Sequence, residues 1–483
     1  MEKTQDGEPA KTQGEDIKID VASVEEVFVD PVIEKRARFK FDCIVLPVIA
    51  ICMLMAGLDR SNIGNARVMG FDADLGLVGT QFNTISVVFY PLYLVMEVPW
   101  TMAIHKYGYN RIIAIMTTGW GSITLGFGFV KTYEQAVALR VLLGLFEAGM
   151  ISGLVLVIST IWAPHQQAKR IGVLYVIGAL TGAFGGLIAY AIQTMGYRSG
   201  MEPWRWLFII EGIISCIVAI IVFFAMPLNP EEAWFLNKEE KETMAARKRR
   251  DVVYRGKKTF SWPAIRATII DPTVYLTAIV QFSHGAATLG FSIFLPTIIR
   301  GMGYTNLQAN YLTVPVYCTG AISVILFSTI ADKFQRRAIL IVAAMVPPVI
   351  GYSIIIGSAN KAAGYAAMFI VVTGLFCVVS VLITWTSMNL APDEKRAFAL
   401  PFIFTFGGVS GALASFLYRT DDAPRYVQGN SISLGLEAVA LVSVGLLYLL
   451  RHMRNSKKEK LRAQGVTDNS KYGDEAMDFE YKF

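Results

Sequence analysis

The stretch CIVLPVIAICMLMAGLDRSNIGNAR (residues 43–67) carries the main evidence for the fold. Its uncharged part, Cys43–Leu58, covers about 24 Å as a helix at 1.5 Å per residue, most of a bilayer core of about 30 Å. Asp59 and Arg60 therefore fall within the outer part of a membrane span. Charges at that depth are costly unless they face a polar cavity or a partner, so the stretch predicts a membrane helix with a polar face.

The composition is that of a membrane protein. Of 483 residues, 54% are hydrophobic and 17% are charged, and the mean hydropathy is +0.47. Soluble proteins carry about 25% charged residues. The apolar residues form about twelve runs, each long enough to span a bilayer. We therefore predict an all-α polytopic membrane protein with about twelve transmembrane helices in two six-helix bundles. The runs lie near residues 41–60, 78–100, 112–130, 135–160, 169–194, 204–226, 271–297, 309–331, 338–358, 362–388, 396–417 and 434–451.

Polar stretches between the runs define the domain organisation. Basic residues crowd both tails and the central stretch, whereas alternate loops hold only a few. This asymmetry predicts that both termini and the central loop are cytoplasmic. It also explains the net charge of +6 without a nucleic-acid partner. The predicted parts are a disordered N-terminal tail (1–40), an N-terminal bundle (41–226), a central loop (227–270), a C-terminal bundle (271–452) and a C-terminal tail (453–483).

The cysteines and histidines lack the spacing of a metal site or of a nucleophile with its base. The five cysteines lie inside or at the edge of apolar runs, and of the four histidines only His284 falls inside one. We interpret the cysteines as small buried hydrophobic residues. The sequence therefore predicts neither an enzyme nor a metal- or cofactor-binding protein.

The two predicted bundles repeat each other. TMAIHKYG (101–108) and STIADKFQ (328–335) each close an apolar run, and APHQQAKR (163–170) and APDEKR (391–396) each open one. A shift of about 227 residues aligns both pairs, as parallel repeats require.

With these features the chain resembles the major facilitator superfamily over about residues 40–452. More narrowly, LDRSNIGNAR (58–67), RVLLGLFEAG (140–149) and the turn WAPHQQAKR (162–170) resemble motifs of the anion:cation symporter family, in its fungal allantoate-permease-like branch. The resemblance implies a secondary transporter of small organic anions, in which two bundles give alternating access to a central site.

The fourth predicted helix carries a second set of charges. Arg140 and Glu147 lie two turns apart on one face, with Gly144 between them. Glu147 either loads and releases a proton or forms an ion pair, with Arg140 or with Arg60, that only fastens helices. For Asp59 and Arg60 the alternative is a charged helix end among lipid headgroups. Because acids and bases recur on two helices of one bundle, we favour a functional site.

The resemblance implies roles for these residues. In such symporters the arginine of helix 1 binds the negative charge of the substrate, and acids on helices 1 and 4 carry protons. Polar and aromatic side chains of both bundles are candidates to complete the cavity, with a packing role as the alternative for each residue of the second bundle. The predicted substrate-binding residues are Arg60, Asn65, Arg140, Gln281, His284, Tyr317, Trp385 and Asn389, and the predicted proton-coupling residues are Asp59 and Glu147.

We predict proton-coupled import of a small organic monocarboxylate, vitamin-like or a nitrogen source such as nicotinate, pantothenate or allantoate, across the plasma membrane. A dicarboxylate would need two cationic anchors, and the second bundle shows no clear arginine for that purpose. The expected partners are the substrate, protons and the lipid bilayer, and we expect a monomer. The alternatives are an exporter of a metabolite or drug, and a nutrient sensor that does not transport, which the short tails disfavour.

Overall fold

The computed structural model describes residues 30–162, 164–255, 266, 268–334, 336–391, 393–464, 474, 476–477 and 479–483. Most of the predicted N-terminal tail and parts of the central loop and the C-terminal tail lie outside these residues. The described chain is built from helices: α1 (Pro31–Val68), α2 (Phe71–Asp74), α3 (Gln81–Val87), α4 (Phe89–Tyr107), α5 (Tyr109–Phe127), α6 (Tyr133–Glu147), α7 (Met150–Ile161), α8 (Pro164–Thr194), α9 (Pro203–Ala225), α10 (Lys238–Arg255), α11 (Pro272–Gly301), α12 (Asn306–Tyr311), α13 (Thr313–Phe334), α14 (Arg337–Gly357), α15 (Lys361–Leu375), α16 (Cys377–Met388), α17 (Asp393–Ala414) and α18 (Val427–Ala463).

The apolar runs become membrane-spanning helices. Within the described residues, 10 helical spans are long and apolar enough to cross a bilayer. Helices α5 and α17 occupy the third and eleventh places in the series, and α17 contains the shorter apolar helix Phe398–Ala414. Helices form because backbone groups in lipid must be hydrogen-bonded within the protein. The all-α polytopic fold is as predicted.

Two predicted boundaries need correction. Helix α1 begins at Pro31, before the predicted end of the N-terminal tail, and the side chain of Asp30 caps it by accepting from the Val32 N–H at 2.8 Å. An acidic cap followed by proline is a strong helix start, and the basic run that follows lies within the helix. At the other end, α18 continues to Ala463, beyond the predicted limit of the C-terminal bundle.

The fourth span is broken in the middle. Helix α6 ends at Glu147, Ala148 has an extended backbone, and Gly149 has φ of 71° before α7 begins. This left-handed conformation favours glycine, and a Cβ there would also lie 2.9 Å from the carbonyl oxygen of Glu97. The break therefore places Glu147 at the end of a helix inside the bundle.

The two halves pack together through several helix pairs, including α8 with α13, and one close contact is where α1 crosses α11. Gly64 lies directly against the carbonyl of Ile293, leaving no room for a Cβ. Close by, the guanidinium of Arg67 lies 4.2 and 5.8 Å from the ring centroids of Phe82 and Phe294. These contacts lie near the end of α1, so the halves close on each other at the end of the molecule away from the chain termini.

Candidate functional site

A cavity of about 170 Å³ lies between the two halves. The charged side chains that line it, Arg60 and Arg140, both belong to the N-terminal half, whereas the C-terminal half contributes hydroxyls and apolar groups. Two cations on one wall and a largely apolar lining suit a small anion with an apolar body. The other lining residues are Met53, Gly57, Ser61, Ile63, Ser86, Phe89, Tyr90, Gly178, Thr181, Gly182, Thr288, Leu289, Ser292, Ile293, Tyr317 and Phe376.

Arg60 forms an ion pair with Glu147 across two helices. Arg60 Nε donates to Glu147 Oε1 at 2.5 Å, and Arg60 Nη2 donates to the Tyr93 hydroxyl at 3.2 Å. Glu147 is fully buried, and its Oε2 has no hydrogen-bond partner in the described part of the chain. Of the two ion pairs left open by the sequence, the structure forms the one between Arg60 and Glu147.

Arg140 has fewer hydrogen-bond partners than Arg60 in the described part of the chain. Its side chain is almost fully buried, and Nε and Nη2 have no hydrogen-bond partner among the described residues. Its guanidinium carbon lies 5.1 Å from the ring centroid of Phe127. A buried charge without hydrogen-bonded partners is costly. Because Arg140 also lines the cavity, it is well placed to accept an anion.

Asp59 points to a different neighbour from Arg60. Asp59 Oδ1 accepts from the Thr124 hydroxyl at 3.1 Å, and Oδ2 has no hydrogen-bond partner in the described chain. Asp59 and Arg140 line the same narrow gap beside the cavity, together with Phe208. Of the four charged residues selected from α1 and α6, Arg60 and Arg140 therefore line the cavity, Asp59 lines the gap next to it, and Glu147 joins them through its ion pair with Arg60.

A further acid joins this group. Glu211 of α9 is buried and accepts a hydrogen bond from Asn62 Nδ2. Glu211 was not among the predicted site residues, although it is an acid within the apolar run LFIIEGII (207–214), the same kind of signal that pointed to Glu147.

Comparison with known proteins identifies the family. The protein-family model described as Major Facilitator Superfamily matches residues 49–415 of this sequence. The chain belongs to the Major Facilitator Superfamily. It is therefore a membrane transporter of a small molecule and not an enzyme, as predicted.

Relatives of this transporter are found in yeasts. An uncharacterised transporter of Schizosaccharomyces pombe is 36% identical over 464 residues, covering 96% of this chain and 93% of the relative. The high-affinity nicotinic acid transporter of Saccharomyces cerevisiae is 30% identical over 456 residues, covering 93% of this chain and 85% of the relative.

Solved structures of other transporters share the fold. A bacterial homologue of the human lysosomal transporter Spinster superposes with a TM-score of 0.66 at 15% identity, covering 87% of this chain and 97% of that chain. A D-xylose–proton symporter superposes with a TM-score of 0.62 at 15% identity, covering 84% and 96%.

Several predicted cavity residues lie elsewhere in the transporter. Asn65 faces Gly185 of α8, and Gln281 packs against Gly407 of α17; neither lines the cavity. The prediction that both residues line the cavity is therefore wrong. Helical spacing shows which residues share a face, but it does not show which neighbouring helix covers that face. Tyr317 does line the cavity, and its hydroxyl donates to the Ser292 carbonyl at 2.9 Å.

His284 is also absent from the cavity lining and belongs to a separate buried pair. Its Nδ1 lies 3.0 Å from Glu437 Oε1, and its Nε2 lies 2.9 Å from the Leu375 carbonyl oxygen. Glu437, which lies far along the chain on α18, was not among the predicted site residues. The two side chains partner each other within the C-terminal half.

Trp385 and Asn389 hold the end of the chain rather than lining the cavity. Trp385 Nε1 and Asn389 Nδ2 both donate to the Lys482 carbonyl, at 2.8 and 3.0 Å. Asn389 Oδ1 accepts from the Lys482 N–H at 2.7 Å, and the Phe483 carbonyl accepts from the Arg337 N–H at 3.1 Å. Their predicted cavity position is corrected because the C-terminal residues fold back and cover this end of α16.

Charged residues form ion pairs at the same end of the C-terminal half. Lys395 Nζ lies 2.6 Å from Asp271 Oδ2 and 2.8 Å from Asp474 Oδ2, and Arg454 Nη2 lies 2.9 Å from Asp271 Oδ1. Burial works against ionisation of Asp271, but Lys395 and Arg454 outweigh it and lower its pKa to about 2. Burial raises the pKa of Asp474 above its ordinary value despite the same lysine.

Proposed function

We propose that this transporter is a proton-coupled symporter of a small organic monoanion, within the anion:cation symporter family. One observation carries the proposal: the cavity is lined by an arginine paired with a buried carboxylate and by a second arginine with unpartnered nitrogens. The yeast relative named as a nicotinic acid transporter supports a carboxylate attached to a flat aromatic ring.

The charges favour a single negative charge on the substrate. While Glu147 is ionised it neutralises Arg60, so Arg140, which lies beside Asp59 but whose Nε and Nη2 have no hydrogen-bond partner among the described residues, is the arginine with donors left for the ligand. A carboxylate matches the planar fork of a guanidinium and forms two parallel hydrogen bonds with it. The largely apolar lining then contacts the rest of the molecule.

Coupling follows from competition for Arg60. Glu147 and a carboxylate substrate both need the same guanidinium, and a proton on Glu147 removes one competitor. Proton binding and anion binding therefore assist each other, as thermodynamic linkage requires. When the proton leaves, Glu147 pairs again with Arg60 and the anion is released.

Alternating access supplies the movement between these states. The halves contact each other through Gly64 and Arg67 at the end away from the termini. We assign the termini to the cytoplasm from the distribution of basic residues. We also propose that the transporter lies in the plasma membrane and acts as a monomer. Rocking of the halves would then open this closed end to the outside.

Uptake into liposomes tests the proposal. We expect the purified transporter to accumulate labelled nicotinate, pantothenate or allantoate when the outside is acidic, and to lose accumulation when a protonophore is added. Nicotinamide should not compete with nicotinate, because the amide carries no negative charge. Accumulation that ignores the pH gradient and follows a sodium gradient would contradict proton coupling, and net efflux against a gradient would favour the exporter.

A further inference from the structure

Glu211 is a buried acid that the coupling scheme above does not use. Next to it, Gly212 packs so closely on α5 that a Cβ would overlap the backbone of Leu125. This close approach fixes α9, and Glu211 Oε2 meets Asn62 Nδ2 of α1. Glu211 Oε1 has no hydrogen-bond partner in the described part of the chain.

The charges around the cavity do not balance. Asp59, Glu147 and Glu211 are buried acids, whereas Arg60 and Arg140 are the cations that line the cavity. If every group were ionised, the cluster would hold an excess negative charge away from water. A buried, uncompensated carboxylate is so unfavourable that the group takes up a proton instead.

The proton belongs on Glu211. Glu147 has Arg60 as its cation, and Asp59 shares a gap with Arg140, whereas the hydrogen-bond partner of Glu211 is a neutral amide. Helices α1, α5 and α8 pack against α9. Among the described residues of these helices, the charged group that interacts electrostatically with Glu211 is another acid, Asp59.

We infer that Glu211 is a third proton-carrying residue, which exchanges its proton with Asp59. In the exchange the O–H bond of the Glu211 carboxyl breaks and an O–H bond forms on Asp59, so the total charge of the pair is unchanged. Neutral Asp59 no longer competes with an anionic substrate for Arg140. The inference rests on the proposed function, because it extends proton coupling from Glu147 to the second arginine.

Infrared difference spectroscopy on the purified full-length transporter tests where the proton is, with no ligand added. We expect a carbonyl-stretch band of a protonated carboxyl near neutral pH in the wild type, and its loss in Glu211→Gln. The matched control is Glu97→Gln, which alters a half-buried membrane carboxyl that accepts from Ser152 Oγ at 2.5 Å and lies outside the cavity lining. The control should keep the band. Asp59→Asn should shift the pH at which the band disappears.

Transport assays distinguish a proton that Glu211 takes up and releases from a proton that stays on Glu211 permanently. In liposomes that accumulate labelled nicotinate, Glu211→Gln should bring accumulation down to equilibrium under a pH gradient while retaining exchange of internal for external nicotinate. A band that survives Glu211→Gln, or does not respond to Asp59→Asn, overturns the inference. Wild-type accumulation by Glu211→Gln also overturns it, whereas nicotinate uptake by the wild type that ignores pH overturns the proposed function instead.

Discussion

At the scale of single residues, Arg60 and Arg140 carry the same charge but meet different neighbours. Arg60 is held by a carboxylate and a tyrosine hydroxyl, whereas two nitrogens of Arg140 have no hydrogen-bond partner among the described residues. Motif resemblance assigned the substrate's negative charge to Arg60. On the unpartnered nitrogens of Arg140 we propose that the substrate first contacts Arg140 and that Arg60 joins once Glu147 is protonated.

Replacing Arg140 by lysine tests this order. Arg140→Lys keeps the charge but loses the planar fork, so we expect apparent affinity for the carboxylate to fall about ten- to hundredfold, the equivalent of about 1.5 to 3 kcal/mol for a charged hydrogen bond. The measurement is binding of nicotinate and of nicotinamide to the purified protein. Equal binding of nicotinate by wild type and variant, or equal binding of acid and amide by the wild type, would rule out this anchor.

Replacing Glu147 by glutamine tests the coupling. The neutral side chain resembles the protonated form and cannot return to the ionised one, so Glu147→Gln should lose accumulation against a gradient but retain exchange across the membrane. The two activities are compared in the same liposomes. Glu239→Gln on the exposed face of α10 is the control and should behave as the wild type. Full accumulation by Glu147→Gln would return Glu147 to a purely structural role.

At the scale of helices, glycine decides how close the two halves come. Gly64 of α1 lies against the Ile293 carbonyl of α11, where a side chain would have to push the helices apart. Small residues serve membrane proteins in this way because packing, rather than the hydrophobic effect, holds helices together in lipid. The contact belongs to the state in which the end away from the termini is closed.

We therefore expect Gly64→Ala to destabilise this closed state by about 1 to 3 kcal/mol, the usual cost of overpacking. Its melting temperature in detergent should fall and its exchange rate should drop. Gly445→Ala on α18 is the control, because nothing lies within 4 Å of its Cβ position. It should be neutral or slightly stabilising, since alanine is the better helix former. Wild-type values for Gly64→Ala would show that transport does not need this approach.

At the scale of the whole molecule, the chain end ties several helices of the C-terminal half together. Residues 479–483 lie against α14, α16 and α18 through backbone and side-chain hydrogen bonds. Asp271, Lys395 and Asp474 form a buried charge network beside them. The network joins the start of α11 to α17 and to the chain end.

This network predicts acid sensitivity. The pKa of Asp271 is lowered from 3.8 to about 2, so its ionised form stabilises the fold above its ordinary pKa. That stabilisation is lost as pH falls through the window from about 4 to about 2 and amounts to about 2 kcal/mol. Melting temperature measured across this window should fall more steeply for the wild type than for Asp271→Asn.

Two comparisons define what the pH experiment reports. Burial raises the pKa of Asp474, the charge of Asp271 adds to this rise, and both acids share Lys395, so the difference between wild type and Asp271→Asn reports on the coupled Asp271–Lys395–Asp474 network. Asp421→Asn, which alters an exposed carboxyl, should follow the wild-type curve. Parallel curves for the wild type and Asp271→Asn would contradict a stabilising role for this ion pair.

The membrane spans, the two-half architecture and the charged residues within the spans follow from the amino-acid sequence alone. Apolar runs of membrane length become helices because lipid offers no other partner for backbone hydrogen bonds. Charges within such runs are visible locally, which is why Asp59, Arg60, Arg140 and Glu147 were selected and why Glu211 could have been.

Which of these residues contact each other depends on how the helices pack in three dimensions. Arg60 pairs with an acid 87 positions away, and Asn389 binds the backbone of a residue 93 positions away. Trp385 does not line the cavity as predicted, because the C-terminal residues cover this side chain. His284 does not line the cavity either, because it pairs with Glu437. Helical periodicity determines which side chains share a face, but the neighbour of that face depends on how distant helices pack, and no local pattern in the chain specifies that.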